Sequence, residues 1–343
     1  MPSEKEIPEK LQNALTVRNP ERAQLRLTDL SRISDGWETE VFSFSVEYVE
    51  GKTPKREELI LRVYPGNDAA EKSVREFEGL RQLHASGYPV PRVSFIETDE
   101  TVLGQPFVVM EKIDGRSLGA ALNESSPEKR AELTALFCRL FADLHRLDWR
   151  PFAGDTSVPE ASDRPVFREI SRWQEYVHQL GRADFDPLFN WLLDNAPRTD
   201  RLSVLHWDFH PFNILLRPDG TPSVIDWGNI QVSDFRFDLA WSLLLTSTYG
   251  DPSARDRLFT GYERAADEKV EQIEYFDAAA SVRRLGGILL SLSEGSENMG
   301  MRPGAEKMML AHPDHIRNVY ALLVERTGIR IAEAEKLLET LPD

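Results

Sequence analysis

Cysteine is almost missing from this sequence. Of 343 residues only Cys138 is a cysteine, which excludes an intramolecular disulfide and any multi-cysteine metal site. Its setting, Leu136-Phe137-Cys138-Arg139-Leu140-Phe141, is apolar and helix-like and predicts a buried, inert thiol. Positive charge is also in short supply. Lys and Arg total 41 against 57 Asp and Glu, a net charge of −16, with no basic stripe to offset it. That field excludes nucleic acid and an anionic membrane surface as partners. Apolar runs such as Leu239-Ala240-Trp241 and Leu243-Leu244-Leu245 fall far short of the ~20 residues a membrane span needs. The opening Met1-Pro2-Ser3-Glu4-Lys5-Glu6 has no basic-then-apolar signal pattern, so the expectation is a soluble, cytoplasmic protein. What is present is ordinary for a globular chain: 41% hydrophobic and 29% charged residues, with length for two domains or one large one.

Residues 1–112 read as strand-rich. Leu27–Ser34 and Thr39–Val49 flank Asp35-Gly36, and Asp-Gly is a strong hairpin-turn dipeptide. Gly51–Arg56 reads as a polar loop. Leu59–Tyr64 is a third strand, apolar at nearly every position and therefore buried on both faces. A helix over Ala69–Ala85 ends before Gly87, Pro89 and Pro91. Strands follow at Ser94–Ile96 and Phe107–Ile113. Beyond Asp114-Gly115 the pattern turns helical: Glu128–Leu147 carries the stripe Leu133, Leu136, Phe137, Leu140, Phe141 and Leu144. Further helices are predicted over Phe185–Leu193 and Glu271–Leu292, with a short strand-rich insert over Leu202–Ile230 between them. Two terminal helices over Ala305–Leu341 divide near Gly328. The predicted division is 1–113 and 114–343.

The stretch richest in chemistry is His206-Trp207-Asp208-Phe209-His210-Pro211-Phe212-Asn213, followed by a short apolar strand and then Val224-Ile225-Asp226-Trp227-Gly228. This is the spacing of a kinase catalytic loop and its metal-binding aspartate. Phosphoryl transfer needs a carboxylate beside the attacking hydroxyl, which Asp208 supplies. It also needs Mg²⁺ on the nucleotide phosphates, an ion that takes oxygen ligands and usually only one or two from protein; Asn213 and Asp226 supply these. His206, Asp208 and His210 alone would equally suit a metal-dependent hydrolase, but that chemistry gives no reason for Asn213 or for Ile225-Asp226-Trp227 at this distance.

These motifs, with Asp238-Leu239-Ala240, resemble the aminoglycoside phosphotransferase family of the protein-kinase-like superfamily. Its pattern is His-Gly-Asp-x-His-x-x-Asn, then Ile-Asp-Trp/Phe, then Asp-Leu-Ala. The resemblance implies an α+β, two-lobed kinase-like fold: a small antiparallel-sheet N-terminal lobe with one key helix, and a larger, mostly helical C-terminal lobe. It implies ATP and Mg²⁺ as cofactors and a small-molecule hydroxyl as acceptor. Asp208 matches the catalytic base, and Asn213 and Asp226 the magnesium ligands. His206, His210 and Asp238 match loop-ordering positions, Asp238 anchoring the loop from behind. Trp207 departs from the usual small residue and either restricts the acceptor pocket or packs on the helical lobe.

In the first half, Gly36 would form the tip of a hairpin over the phosphates. Arg62 stands inside an apolar strand where kinases carry Lys, and a buried cation needs a partner. Glu76, Leu80 and Leu83 share a helical face, whereas Glu78 falls on a polar one with Glu71, Arg75 and Gln82, so Glu76 is the predicted partner. By resemblance the Glu111 carbonyl and Ile113 N–H would meet the adenine. Two other functions stand beside the ATP-dependent phosphotransferase: a nucleotide-binding pseudokinase without turnover, and the metal-dependent hydrolase on His206, Asp208 and His210. For the acceptor, the acids of segment 263–298 favour an amino alcohol of aminoglycoside type, and this is the expectation; one of Arg283-Arg284 on the same helix could hold the carboxylate or phosphate of an anionic acceptor, which comes second.

Overall fold

The computed structural model describes residues 6–35, 39–66, 68–153, 165–199, 201–249, 252–295 and 305–342. The chain forms two compact units. The first holds the residues up to 116 together with 215–229; the second holds 117–214 and most of the chain after 229. The division therefore falls a few residues past the expected 113/114, and the segment carrying Asp226 belongs with the first unit rather than with the helical one.

In the first unit, α1 (Ile7–Arg18) precedes β1 (Ala23–Asp35), β2 (Glu40–Glu50) and β3 (Thr53–Val63). Then come α2 (Ala69–Ala85), β4 (Val93–Glu97), the one-turn α3 (Glu100–Leu103) and β5 (Phe107–Glu111). The strands form one antiparallel sheet in the order β1-β2-β3-β5-β4. Register sets its two faces. Phe42 lies opposite Leu61 and Phe44 opposite Leu59, while Leu61 and Val63 lie opposite Val109 and Phe107. Alternation puts all of these on one face, where Ile7, Leu11 and Leu15 of α1 close the core. The intervening positions of β3, Ile60 and Arg62, face the other way, toward α2.

The expected polar loop over Gly51–Arg56 is instead a two-residue turn and the start of β3. Gly51 takes φ +65°, Glu50 pairs with Thr53 and Tyr48 with Lys55. The polar residues form an exposed strand end tied by cross-strand charge: Arg56 reaches Glu47 at 3.1 Å and Asp29 at 3.0 Å. Segment 215–229 joins this unit by close backbone approach. A Cβ on Gly115 would lie 2.4 Å from the Leu216 carbonyl oxygen, so only glycine fits there. The Val224 N–H donates to the Pro89 carbonyl at 2.8 Å, and fully buried Trp227 meets Tyr88 edge-on.

The chain enters the second unit through β6 (Arg116–Ser117) and continues as α4 (Leu118–Glu124), α5 (Pro127–Arg146), α6 (Pro165–Gln179), α7 (Asp186–Asp194) and β7 (Ser203–Leu205). It leaves through β8 (Ile214–Leu216), forms β9 (Pro222–Val224) in the first unit, and returns as β10 (Gln231–Ser233). The rest is helical: α8 (Phe235–Tyr249), α9 (Pro252–Ala266), α10 (Ile273–Glu294), α11 (Ala305–Leu310), α12 (Pro313–Thr327) and α13 (Ala332–Thr340). The predicted stripe of α5 is buried at Leu133, Phe137, Leu140, Phe141 and Leu144. The predicted terminal pair of helices is three. The break at Gly328 is present, with φ +70°, and a second break precedes Pro313, which starts α12 because it lacks an N–H to continue α11. Cys138 is buried, and burial pushes its thiol pKa up to about 12. Among the described residues no helix is long and apolar enough to cross a membrane.

Candidate functional site

The loop after β7 is built backward from α8. Asp238, wholly buried in the first turn of that helix, accepts the N–H of His206 at 2.7 Å and of Trp207 at 2.8 Å, one on each carboxylate oxygen. Its Oδ2 is also 3.4 Å from His145 Nε2, and His145 Nδ1 is 2.8 Å from the Tyr262 hydroxyl. Burial holds the His145 imidazole below its ordinary pKa against the pull of Asp238. His145 has no place in the loop motif. The one sequence signal for it was its position four residues after Phe141 on the buried stripe of α5.

Within the loop the expected positions converge on Asp208. Its N–H donates to His206 Nδ1 at 3.2 Å, and its carbonyl accepts from Asn213 Nδ2 at 3.0 Å. The carboxylate, with its side chain 38% exposed, has Oδ1 bonded by the Trp241 indole N–H at 2.9 Å and Oδ2 3.4 Å from His210 Nε2. Crowding by protein raises the Asp208 pKa, but the hydrogen bonds of His210 and Trp241 outweigh it and hold the carboxyl well below the usual range. The group is anionic at neutral pH. Trp241 was not foreseen; it lies 33 residues away in sequence, outside any loop spacing.

Trp207 packs on the helical unit. It takes φ +66°, is buried against Trp173 and Phe237, and its carbonyl accepts from Arg283 at 2.9 Å. The left-handed backbone accounts for the glycine of the family pattern at this position.

In the first unit, Arg62 Nη1 lies 3.2 Å from Glu76 and both terminal nitrogens lie 3.0 Å from Asp226 Oδ1. The Tyr64 hydroxyl donates to Glu76 at 2.5 Å. Burial works against the Arg62 charge, and the carboxylates of Glu76 and Asp226 outweigh it, keeping the guanidinium protonated. Glu78 instead pairs with Arg81 on the outer surface of α2. Glu111 closes β5; its side chain accepts from Arg217 at 2.7 Å and from the Arg92 N–H at 3.2 Å. Ile113 is buried just beyond. Gly36 lies outside the described residues.

In the second unit Asn213, with its Nδ2 spent on the loop, presents an amide oxygen. In the first unit the Arg62 fork takes Oδ1 of Asp226 and leaves Oδ2. Each is an oxygen of the kind a hard divalent cation takes. A zinc set on His206, Asp208 and His210 does not fit. Nδ1 of each histidine accepts a backbone N–H, from Asp208 and Phe212, and among the described residues no three His, Cys, Asp or Glu side chains are grouped as metal ligands.

Three of the acids that favoured an amino alcohol are engaged elsewhere, and Glu297 lies outside the described residues. Glu263 bonds Lys269 and the Val270 N–H, Glu268 pairs with Arg201, and buried Asp277 pairs with Arg255 and Arg326. Arg283 lies 4.0 Å from the Trp241 ring centre and 4.9 Å from that of Trp207. Arg284 bonds His315 and the Tyr249 hydroxyl.

Comparison with known proteins adds three findings. The model of the phosphotransferase enzyme family matches residues 29–273. Curated relatives include mouse acyl-CoA dehydrogenase family member 10, 25% identical over 196 residues, covering 54% of this chain and 18% of that protein. Mouse family member 11 is 32% identical over 169 residues, covering 46% and 21%. The chain thus spans about a fifth of the length of these relatives. Among solved structures, an aminoglycoside phosphotransferase assigned as putative from Ralstonia eutropha superposes with TM-score 0.61 at 20% identity, covering 91% of this chain and 98% of that one. A thermostable variant of aminoglycoside phosphotransferase APH(4)-Ia, in ternary complex with ADP and hygromycin B, gives 0.55 at 16% identity, covering 90% and 98%. At these identities the likeness is one of fold.

Proposed function

The chain belongs to the phosphotransferase enzyme family, and from that premise we propose that it transfers the γ-phosphoryl group of ATP to a hydroxyl of an anionic small molecule. The observation that carries the chemistry is the Asp208 carboxylate, kept ionised and steered by Trp241 and His210. In the step proposed, the acceptor oxygen bonds to the γ-phosphorus as its proton passes to Asp208. The bridging bond to the β-phosphate breaks, and ADP leaves with the electron pair. Asn213 and Asp226 would hold Mg²⁺, which when bound neutralises phosphate charge. Arg62, held by Glu76 and Asp226, would turn its planar fork from Asp226 to phosphate where a lysine would offer a point charge, and Glu76 orients it. The adenine falls to backbone groups of Glu111 and Ile113, where ladder pairing of β5 with β3 ends at Glu111.

An anionic acceptor is favoured over an amino alcohol by two things: the Arg283 guanidinium against Trp241, which itself bonds Asp208, and the acyl-CoA dehydrogenase relatives, which handle acyl compounds by name. A screen of ADP release over hydroxy acids, hydroxyacyl thioesters, sugars and aminoglycosides tests this. Hydroxylated acids or thioesters should turn over best; an aminoglycoside as best acceptor counts against the acceptor class alone. Asp208→Ala should lower transfer by about 10²–10⁴-fold or more while nucleotide affinity stays within a few fold. Full activity in that variant overturns the assignment of the base. Absence of transfer to every acceptor, with nucleotide still bound, would favour a pseudokinase.

A further inference from the structure

Resting on the reading of Asp208 as the base, we propose that Trp241 is a positioning residue for phosphoryl transfer. Its indole N–H fixes one oxygen of Asp208 so that the other is left to take the acceptor's proton, and Arg283, stacked on the indole, holds the ring in that attitude.

The geometry lies wholly within the second unit. The Asp208 backbone is fixed at both ends, its N–H on His206 and its carbonyl on Asn213. What remains is rotation of the side chain, and the terminal torsion of an aspartate is broad and poorly defined on its own. The short contact that sets it is the Trp241 bond to Oδ1 at 2.9 Å; His210 lies further off, 3.4 Å from Oδ2. A general base must keep an oxygen within hydrogen-bond reach of the proton it takes. With Oδ1 spent on the indole, Oδ2 serves, and the longer His210 contact leaves it a lone pair to offer.

The helix that makes this bond also makes the loop. Asp238 and Trp241 are three residues apart on α8, hence neighbours on one face. Asp238 binds the backbone of residues 206 and 207, and one turn later Trp241 binds the side chain of residue 208. Loop and base are thus indexed to one rigid ruler. Arg283 of α10 adds the third constraint. Its guanidinium lies 4.0 Å from the Trp241 ring centre while its Nη1 donates to the Trp207 carbonyl. A cation over an indole face is attracted to the ring and draws electron density from it, which strengthens the N–H as a donor.

The test removes the N–H and keeps the ring. In Trp241→Phe, ADP release from MgATP, with water as acceptor and with the best hydroxy acid of the screen, should fall about 10- to 100-fold in kcat. KM for MgATP should change less than about twofold and the melting temperature should hold, a split that a merely structural role would not give. With water as acceptor, where no acceptor anion is held, Arg283→Met should lower kcat in the native background and add nothing further in the Trp241→Phe background. Independent of turnover, the indole ¹⁵N–¹H resonance that disappears in Trp241→Phe should shift in Asp208→Ala. Full kcat in Trp241→Phe, or an indole resonance that ignores Asp208→Ala, overturns the proposal. Multiplying effects of the two substitutions overturn the part given to Arg283. If Asp208→Ala itself keeps full turnover, the reading of the base fails instead.

Discussion

Trp207 shows how one residue carries two opposed demands. Its left-handed backbone costs an L-residue about 1–2 kcal/mol, yet its buried indole packs against Trp173 and Phe237. Replacing a buried tryptophan by a small residue costs about 3–5 kcal/mol, more than the strain a glycine would release. Trp207→Gly, though it restores the family pattern, is expected to lose about 2–3 kcal/mol of stability by urea unfolding; a more stable variant would mean that strain dominates. The two residues proposed to hold magnesium separate by charge. Asp226→Ala should abolish the thermal shift given by MgATP, and Asn213→Ala should only reduce it, since a carboxylate outweighs an amide as a ligand. An unchanged shift in Asp226→Ala would put the cation elsewhere. Asp208, the loop histidines and Asp238 were legible in sequence as neighbours because their spacing is local to one loop and the helix after it. Trp241 and His145 were not, because they reach the loop from a helix face and a distant helix, and a single sequence does not disclose such contacts.

At the scale of elements, the Arg62–Glu76 pair fastens α2 to β3. The Glu76 side chain is 1% exposed and that of Arg62 12%, so removing Arg62 strands the Glu76 carboxylate away from water. Arg62→Ala should cost about 3–5 kcal/mol in chemical denaturation. Arg62→Lys should cost less, because it keeps the charge, but not nothing, because one ammonium cannot reproduce the fork shared between Glu76 and Asp226. An Arg62→Ala variant of native stability would show the pair to be dispensable. The bounds of α2 were readable because a clean apolar face ends at Gly87 and two prolines. The outer half of β3 was not, because Thr53–Glu58 is polar throughout and becomes a strand only through its pairing with β2. Nor was α1, whose contribution to the core is three residues, Ile7, Leu11 and Leu15, too few for a periodic signal.

For the molecule as a whole, histidines held neutral contribute to the loss of stability in mild acid, above the range where the carboxylates take protons. His315 is buried, and burial with the nearby Arg284 charge pushes its pKa down to about 3. His145 is lowered in the same direction by burial. In the unfolded chain both would take protons below about pH 6.5. The unfolded state therefore binds more protons than the native one from there down to the native pKa values, and stability falls with pH across that window. Each group fully in that window removes about 1.4 kcal/mol per pH unit. The melting temperature should drop steadily from pH 6.5 to 4, with a shallower slope in His315→Gln. A flat profile would mean that these imidazoles are charged in the native state.

The path of the chain has its own consequence for ancestry and engineering. The polypeptide leaves the first unit at 116/117, re-enters it at 214/215 and leaves again at 229/230. The fifteen or so residues of that return visit bring Trp227 and the carboxylate that Arg62 grips. No single cut yields either unit intact, so recombination at one point cannot exchange one half for a homologue's without orphaning Arg62 and the Trp227 pocket. A split-protein reporter made at 113/114 should therefore recover signal only when both fragments are co-expressed, and neither fragment should melt cooperatively alone.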